Sequence, residues 1–198
     1  DISSAAFWLV AGLLHPRANV RVKNCGLNPT RTGILDVLKS MGASLEILSE
    51  REEGGEKVGE ILVKSSQLKS TTIEGEMIPR LIDELPIIAV VATQAQGTTI
   101  IRNAEELRVK ESDRIGTTVM ELSKMGANIE AQPDGMIIKG KSVLKGSLVD
   151  SHKDHRLAMS LAVAALVAQG ETIIDNSEYV DISYPSFWQD LGRLSRRE

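Results

Sequence analysis

One cysteine, Cys25, is all the chain has. That excludes an internal disulfide and fits a reducing compartment. Positive charge is not in excess either: 23 Lys and Arg against 27 Asp and Glu leave a formal net charge of −4 over 198 residues. A nucleic-acid partner therefore has no support from overall charge, and any anion site has to come from local clustering. No uninterrupted apolar run reaches the roughly 20 residues of a membrane span, and no stretch reads as a secretory leader. Linkers and low-complexity segments are lacking too, so a single domain over 1–198 is expected. The chain begins at Asp1 rather than Met, and a fragment of a longer protein is the expectation. What is present is ordinary globular composition, 42% hydrophobic and 25% charged, enough for a real core.

That apolar content is concentrated. Segments Ala5 to Leu14, Leu85 to Ala95 and Leu157 to Val167 are apolar nearly all round, which predicts helices buried on every side. An acidic residue stands near the start of each (Asp1, Asp83, Asp154), and a short β-branched strand follows each: Asn19 to Lys23, Thr98 to Arg102, Thr172 to Asp175. Every strand runs into an asparagine (Asn24, Asn103, Asn176), 23, 20 and 22 positions after the acidic residue. This is an internal repeat. After the first two asparagines come matching segments, Gly33 to Ala43 (GILDVLKSMGA) and Gly116 to Ala127 (GTTVMELSKMGA). They predict amphipathic helices ending at glycine. Each leads into two strands: Ser44 to Leu48 and Gly59 to Lys64 around an acidic hairpin tip, Glu50 to Glu56, then Asn128 to Ala131 and Met136 to Lys139 around Pro133-Asp134-Gly135. The third copy has its second helix at Pro185 to Arg196 and no closing strands. The unit is thus helix–strand–helix–strand–strand, with repeats at about 1–75, 76–150 and 151–198.

The second copy carries five more residues than the first between its asparagine and the Met-Gly-Ala signature. A repeat enlarged at one loop marks a site. The enlarged loop holds Glu106-Leu107-Arg108-Val109-Lys110-Glu111-Ser112-Asp113-Arg114-Ile115, with two cations and two carboxylates within five residues. At a strand-to-helix junction free amides and the helix dipole favour an anion. Lys and Arg there suit a phosphate or carboxylate, with Glu111 beside them as a proton carrier.

RVKESDRI at Arg108 to Ile115, DHRLAMSLAVAAL at Asp154 to Leu166, IDELPIIAV at Ile82 to Val90 and SYPSFW at Ser183 to Trp188 together resemble the 5-enolpyruvylshikimate-3-phosphate synthase family, in order along the whole chain. The match looks like the second half of such an enzyme. The resemblance implies an α/β fold, an inside-out α/β barrel of three βαβαββ-type repeats with buried central helices and outer mixed sheets, incomplete at its termini. It implies transfer of the enolpyruvyl group of phosphoenolpyruvate to the 5-hydroxyl of shikimate 3-phosphate, in the aromatic amino-acid and chorismate pathway that glyphosate inhibits. No cofactor and no metal are implied. The implied partners are the two substrates and a missing N-terminal half, with no nucleic acid and no membrane. Residence would be cytoplasmic, or plastidic in a plant.

By the same resemblance Asp83 contacts the 5-hydroxyl and removes its proton, and Glu111 shuttles the proton at the methylene carbon. Lys110 lies at the 3-phosphate, while Arg114, Arg156 and His155 hold phosphoenolpyruvate. Residue chemistry offers blander readings beside these: helix capping for Asp83, with Pro86 supporting a helix start, and for Asp1 and Asp154; ion pairing for Glu111; hydrogen bonding for His155. Asp113 is expected to orient Arg114 or Lys110. Arg31 and Arg108 read as solvated or structural, Trp8 and Trp188 as core, and Cys25 as inert. Two positions depart from some family members: Ile182 stands where a lysine contacts phosphoenolpyruvate, and Glu106 where an asparagine is found. Competing readings are the related half acting on a UDP-amino sugar and a non-catalytic anion-binding structural domain. As an isolated chain, 1–198 is expected to be inactive.

Overall fold

The computed structural model describes residues 1–195; Arg196, the expected end of the last helix, lies outside them. In chain order the elements are α1 (Ile2–Leu14), β1 (Asn19–Gly26), α2 (Gly33–Ser40), β2 (Ser44–Glu53), β3 (Glu56–Lys64) and β4 (Thr72–Ile73). Then come α3 (Leu85–Gln94), β5 (Gly97–Ile101), α4 (Arg114–Lys124), β6 (Asn128–Gln132) and β7 (Gly135–Gly140). The chain closes with β8 (Leu148–Asp150), α5 (His155–Ala165), β9 (Ile173–Asp175) and α6 (Phe187–Leu194). Short 3-10 turns join them at Gly75–Arg80, Ile82–Glu84, Glu105–Val109 and Ser177–Ile182. It is an α/β fold with mixed sheets: β1-β3-β2 antiparallel, β4-β5-β7-β6 with β4 parallel to β5, and a parallel pair β8-β9.

The three apolar helices α1, α3 and α5 pack on one another. Leu9, Leu13, Ile88, Val91, Leu161 and Val163 are among the residues fully withdrawn from solvent in one continuous core. Burial of this apolar surface is the main favourable term in folding, and it explains why these helices have no polar stripe. None among the described residues is long and apolar enough to cross a membrane.

The two Met-Gly-Ala signatures close α2 and α4 alike. Gly42 and Gly126 take φ of 85° and 87°; Ala43 donates to the Leu38 carbonyl and Ala127 to the Leu122 carbonyl, both at 3.0 Å. This is the Schellman cap that only a residue tolerant of left-handed backbone permits. The three repeated asparagines are left-handed as well, at φ 55°, 58° and 56°, a conformation asparagine tolerates better than most residues.

Three expectations are corrected here. The acidic hairpin is present, but its tip is shorter than Glu50 to Glu56. The ladder continues through Glu50↔Gly59 to Glu53↔Glu56, and only Gly54-Gly55, both with positive φ, form the turn. Two left-handed residues make the turn that matches strand twist. The helix expected from Gly116 starts two residues earlier, at Arg114, because Asp113 caps it. The short strands β4 and β8 were not anticipated; they add a leading parallel strand before α3 and α5.

At the other end of the chain, SYPSFW ties α6 back to α1. Phe187 is fully buried, with ring centroids 5.1 to 6.2 Å from those of Trp188, Trp8, Tyr184 and Phe7. Trp8 Nε1 donates to the Tyr184 hydroxyl at 3.0 Å and Trp188 Nε1 to the Ser177 carbonyl at 3.2 Å. Trp8 is core and Trp188 is half-buried against it, and Cys25 is buried, with burial pushing its thiol up.

Candidate functional site

The N-termini of α1, α3 and α5 begin similarly in sequence and differently in space. Asp1 accepts from the amides of Ser3 and Ser4, and Asp154 from those of Arg156 and Leu157. Both are helix caps, as expected. Asp83 is not: it lies in the 3-10 turn before α3, and no side chain caps that helix. Its carboxylate faces cations instead. Arg114 Nη1 is 3.1 Å from Oδ1, Lys110 Nζ is 3.9 Å from the same oxygen, and Arg156 Nη2 and Arg31 Nη2 are 3.7 and 3.9 Å from Oδ2.

Arg114 is the hub. Its side chain is 1% exposed, an expensive position for a charge unless it is paired. It donates through Nε to Asp154 Oδ2 at 2.7 Å, through Nη2 to Asp154 Oδ1 at 3.3 Å and to Glu111 Oε2 at 2.5 Å, and through Nη1 to Asp83. Three carboxylates from three different segments thus meet on one guanidinium. Burial lowers the Arg114 affinity for its proton, but Asp154, Glu111 and Asp83 more than offset this and raise its pKa. Burial likewise pushes the Asp154 carboxyl up, and Arg114 outweighs it, leaving the net shift downward. Ser112 completes the Asp154 shell, its hydroxyl donating to Oδ2 at 3.1 Å.

The enlarged loop folds as the 3-10 turn Glu105–Val109 followed by Lys110 to Asp113. Lys110 pairs with Glu106 at 2.7 Å, so the residue that departs from the family pattern holds the lysine's ammonium. Asp113 does not orient Arg114 or Lys110. It accepts from the Gly116 amide at 3.1 Å and pairs with Arg108 at 2.7 Å, and Arg108 also donates to the carbonyls of Pro133 and Gln132. Arg108 is structural. Because Asp113 already occupies the first turn of α4, the anion seat expected at that helix start is taken by the chain's own carboxylate.

His155 begins α5 beside Arg156. Burial lowers its pKa, and the neighbouring Arg156 charge adds to the effect, so the ring is neutral near pH 7 and offers one N–H and one lone pair. Ile182 ends the 3-10 turn Ser177–Ile182 and is exposed. An apolar hollow of about 220 Å³, lined by Trp8, Ala11, Leu166 and Leu191 among others, lies toward the C-terminal end of α1. Among the described residues no lysine or arginine lines it, and His15 is its one titratable group.

Asp83, Lys110, Glu111, Arg114, Arg156 and His155, chosen from sequence, are therefore neighbours in one cluster. Two members were missed. Arg31, read as solvated or structural, reaches Asp83; its distance from Asn24 equals that of Lys110 from Asn103, seven residues in both copies. Comparing the repeats at that offset would have found it. Glu84, 1% exposed with no hydrogen-bond partner for Oε1 among the described residues, stands 3.7 Å from Arg156 Nη1. Its signal was an acid next to the start of an apolar helix.

The chain matches the family described as EPSP synthase (3-phosphoshikimate 1-carboxyvinyltransferase) over residues 1–191. It is 58% identical to the 3-phosphoshikimate 1-carboxyvinyltransferase of Alkaliphilus oremlandii, covering 99% of this chain and 46% of that one. In structure it resembles the EPSP synthase of Acinetobacter baumannii at TM-score 0.95 and 40% identity, covering 98% of this chain and 45% of that one. The enolpyruvyl transferase NikO of Streptomyces tendae shares the fold at TM-score 0.80 and 21% identity, over 98% of this chain and 42% of its own. The chain thus spans less than half the length of these proteins.

Proposed function

Because the chain belongs to the EPSP synthase family, we propose that it supplies one side of the active site of a 3-phosphoshikimate 1-carboxyvinyltransferase. The reaction transfers the enolpyruvyl group of phosphoenolpyruvate to the 5-hydroxyl of shikimate 3-phosphate. The observation that carries this reading is Asp83: alone among the three helix-start aspartates it is free of backbone amides and ringed by Lys110, Arg114, Arg156 and Arg31.

In that role Asp83 accepts the 5-hydroxyl proton as the oxygen attacks C2 of phosphoenolpyruvate, and Glu111 delivers a proton to the methylene carbon, giving a tetrahedral adduct. Elimination reverses the second transfer: a methyl proton returns to Glu111 as the C–O bond to phosphate breaks, and the proton held by Asp83 leaves with the phosphate. Lys110 holds the 3-phosphate, and Arg156 and neutral His155 hold phosphoenolpyruvate; Arg114 joins them by exchanging its Glu111 contact for the substrate. Arginine suits this because its planar donors match a carboxylate or phosphate. With donors fixed before the chemistry, no reorganisation is needed as charge develops.

The finer architecture we infer is an inside-out barrel. Three βαβαββ-type repeats (about 1–75, 76–150 and 151–198) direct α1, α3 and α5 inward and their sheets outward. Supporting it are the mutual packing of those helices, the leading strands β4 and β8, and the asparagine at one backbone conformation in each copy. In the cluster four cations (Arg31, Lys110, Arg114, Arg156) meet five carboxylates (Asp83, Glu84, Glu106, Glu111, Asp154). That balance leaves little positive charge for two polyanionic substrates. The further cations belong to a complementary half, which is the partner we propose, and residues 1–198 alone have no turnover.

The test is a full-length synthase carrying residues 1–198, its remainder supplied by the Alkaliphilus oremlandii relative, assayed for phosphate release. Turnover dependent on both substrates supports the reading. A folded hybrid that releases no phosphate refutes it.

A further inference from the structure

Glu84 discharges no local duty that would explain a buried carboxyl. It immediately precedes α3, yet its side chain caps no amide. At 1% exposure, with Oε1 lacking a hydrogen-bond partner among the described residues, it is the kind of group a fold eliminates unless something nearby needs it.

Two neighbours face it. Arg156 Nη1 stands 3.7 Å from Oε1, and the hydroxyl of Ser3, itself buried on the first turn of α1, lies beside the carboxyl. Each neighbour leads back to Asp83. Arg156 turns its other terminal nitrogen to Asp83 Oδ2 at 3.7 Å. Ser3 Oγ accepts from Arg31 Nη2 at 3.3 Å, and that nitrogen is 3.9 Å from the same Asp83 oxygen. Two arginines from different segments, the loop before α2 and the start of α5, therefore flank Asp83. The buried Ser3–Glu84 pair stands behind both.

The distances carry the meaning. A separation of 3.7 Å is within ion-pair range but too long for a hydrogen bond. A guanidinium attracted in this way is held in place while its N–H groups remain available to a planar anion. Arg114 shows the contrast, because Asp154, Glu111 and Asp83 hydrogen-bond it directly.

We propose that Glu84 is a positioning residue: it holds Arg156, and through Ser3 also Arg31, on the two sides of Asp83 with their donors turned toward the incoming anion. The inference rests on the enolpyruvyl-transfer reading and deepens it. Burial raises the Glu84 pKa, with Ser3 and Arg156 opposing the shift.

The test uses the same full-length hybrid and reads KM and kcat separately. Glu84→Gln keeps the shape of the side chain and removes its charge, so the protein stays folded. A raised KM for phosphoenolpyruvate, about tenfold for loss of one charge-assisted contact, with kcat within about twofold, is expected. Ser3→Ala, which frees Arg31 and leaves the Glu84–Arg156 pair in place, gives a smaller rise in the same direction. An unchanged KM in Glu84→Gln overturns the proposal, and so does a fall in kcat at constant KM. If the unsubstituted hybrid does not turn over, the functional reading falls by itself. Crystal structures of the hybrid and its Glu84→Gln variant then decide the positioning claim: Arg156 swinging away from Asp83 supports it, and Arg156 keeping its place overturns it.

Discussion

Replacing Arg114 by methionine tests the centre of the cluster most directly. Methionine roughly fills the volume but leaves Asp154, whose side chain is 0% exposed, without its cation. Removing one partner of a buried pair costs about 3–5 kcal/mol, because the other charge stays buried and unpaired. With a urea slope of about 2 kcal/mol/M, the unfolding midpoint should fall by about 1.5–2.5 M. Asp154→Asn keeps a capping oxygen for α5 and removes the charge, so in the Arg114→Met background it should restore about 1–2 kcal/mol. The pH profile gives an independent check. The Asp154 pKa in the folded protein is below the ordinary 3.8. The stability it contributes is therefore present above that value and lost as pH falls through the folded pKa. In Arg114→Met the carboxyl is raised instead, so acid relieves its penalty. The gap between the two proteins should close below about pH 4. Additivity of the two substitutions within about 0.5 kcal/mol, or a gap that widens in acid, would refute the reasoning.

Within the full-length hybrid, Asp83→Asn and Glu111→Gln should each lose at least about 100-fold in kcat, the usual scale for removing a proton-transfer group, with unchanged circular dichroism; wild-type rates would remove both from the mechanism. Phe187→Ala should destabilise by about 3–5 kcal/mol, read by urea unfolding, because the ring is fully buried among four other aromatics. A loss under about 1 kcal/mol would mean that α6 does not hold α1.

Periodicity made the large elements legible. Helices apolar on all sides can only be buried, and Gly42 and Gly126 end α2 and α4 because the left-handed caps they form suit glycine. What stayed hidden rests on distant pairing. Thr72–Ile73 and Leu148–Asp150 become strands only by lying parallel to β5 and β9, and so short a segment has no period of its own. Arg31 was hidden for a similar reason, since it meets Asp83 across 52 positions of sequence. Composition set the tip of the acidic hairpin too long: Glu50 to Glu53 are exposed, but a two-glycine turn keeps their ladder in register. The motif residues were found because a family resemblance marked them. Charge and spacing alone pointed to the enlarged loop and not to Asp83.

The misreading of Asp83 as a cap has a cause that also yields a prediction. Asp1 and Asp154 bond the amides two and three residues on, Ser3 and Ser4 in one case and Arg156 and Leu157 in the other. The same offsets from Asp83 fall on Leu85 and Pro86, and proline has no N–H. The residue taken to support a capped helix start thus deletes one of the amides the cap would use. Its fixed φ still suits the first turn, so α3 begins without Asp83 and the carboxylate turns to Lys110, Arg114, Arg156 and Arg31. Pro86→Ala restores the amide. Capture of Asp83 by α3 would be worth about 1 kcal/mol to the helix and would draw the carboxylate away from the arginines. Displacement of a reacting group by about 1 Å costs on the order of 100-fold in rate. The hybrid carrying Pro86→Ala should therefore lose kcat by about 10- to 100-fold while its melting temperature holds or rises. Full activity with a crystal structure showing Asp83 bonded to residue 86 would mean that its freedom from the backbone does not matter to the chemistry.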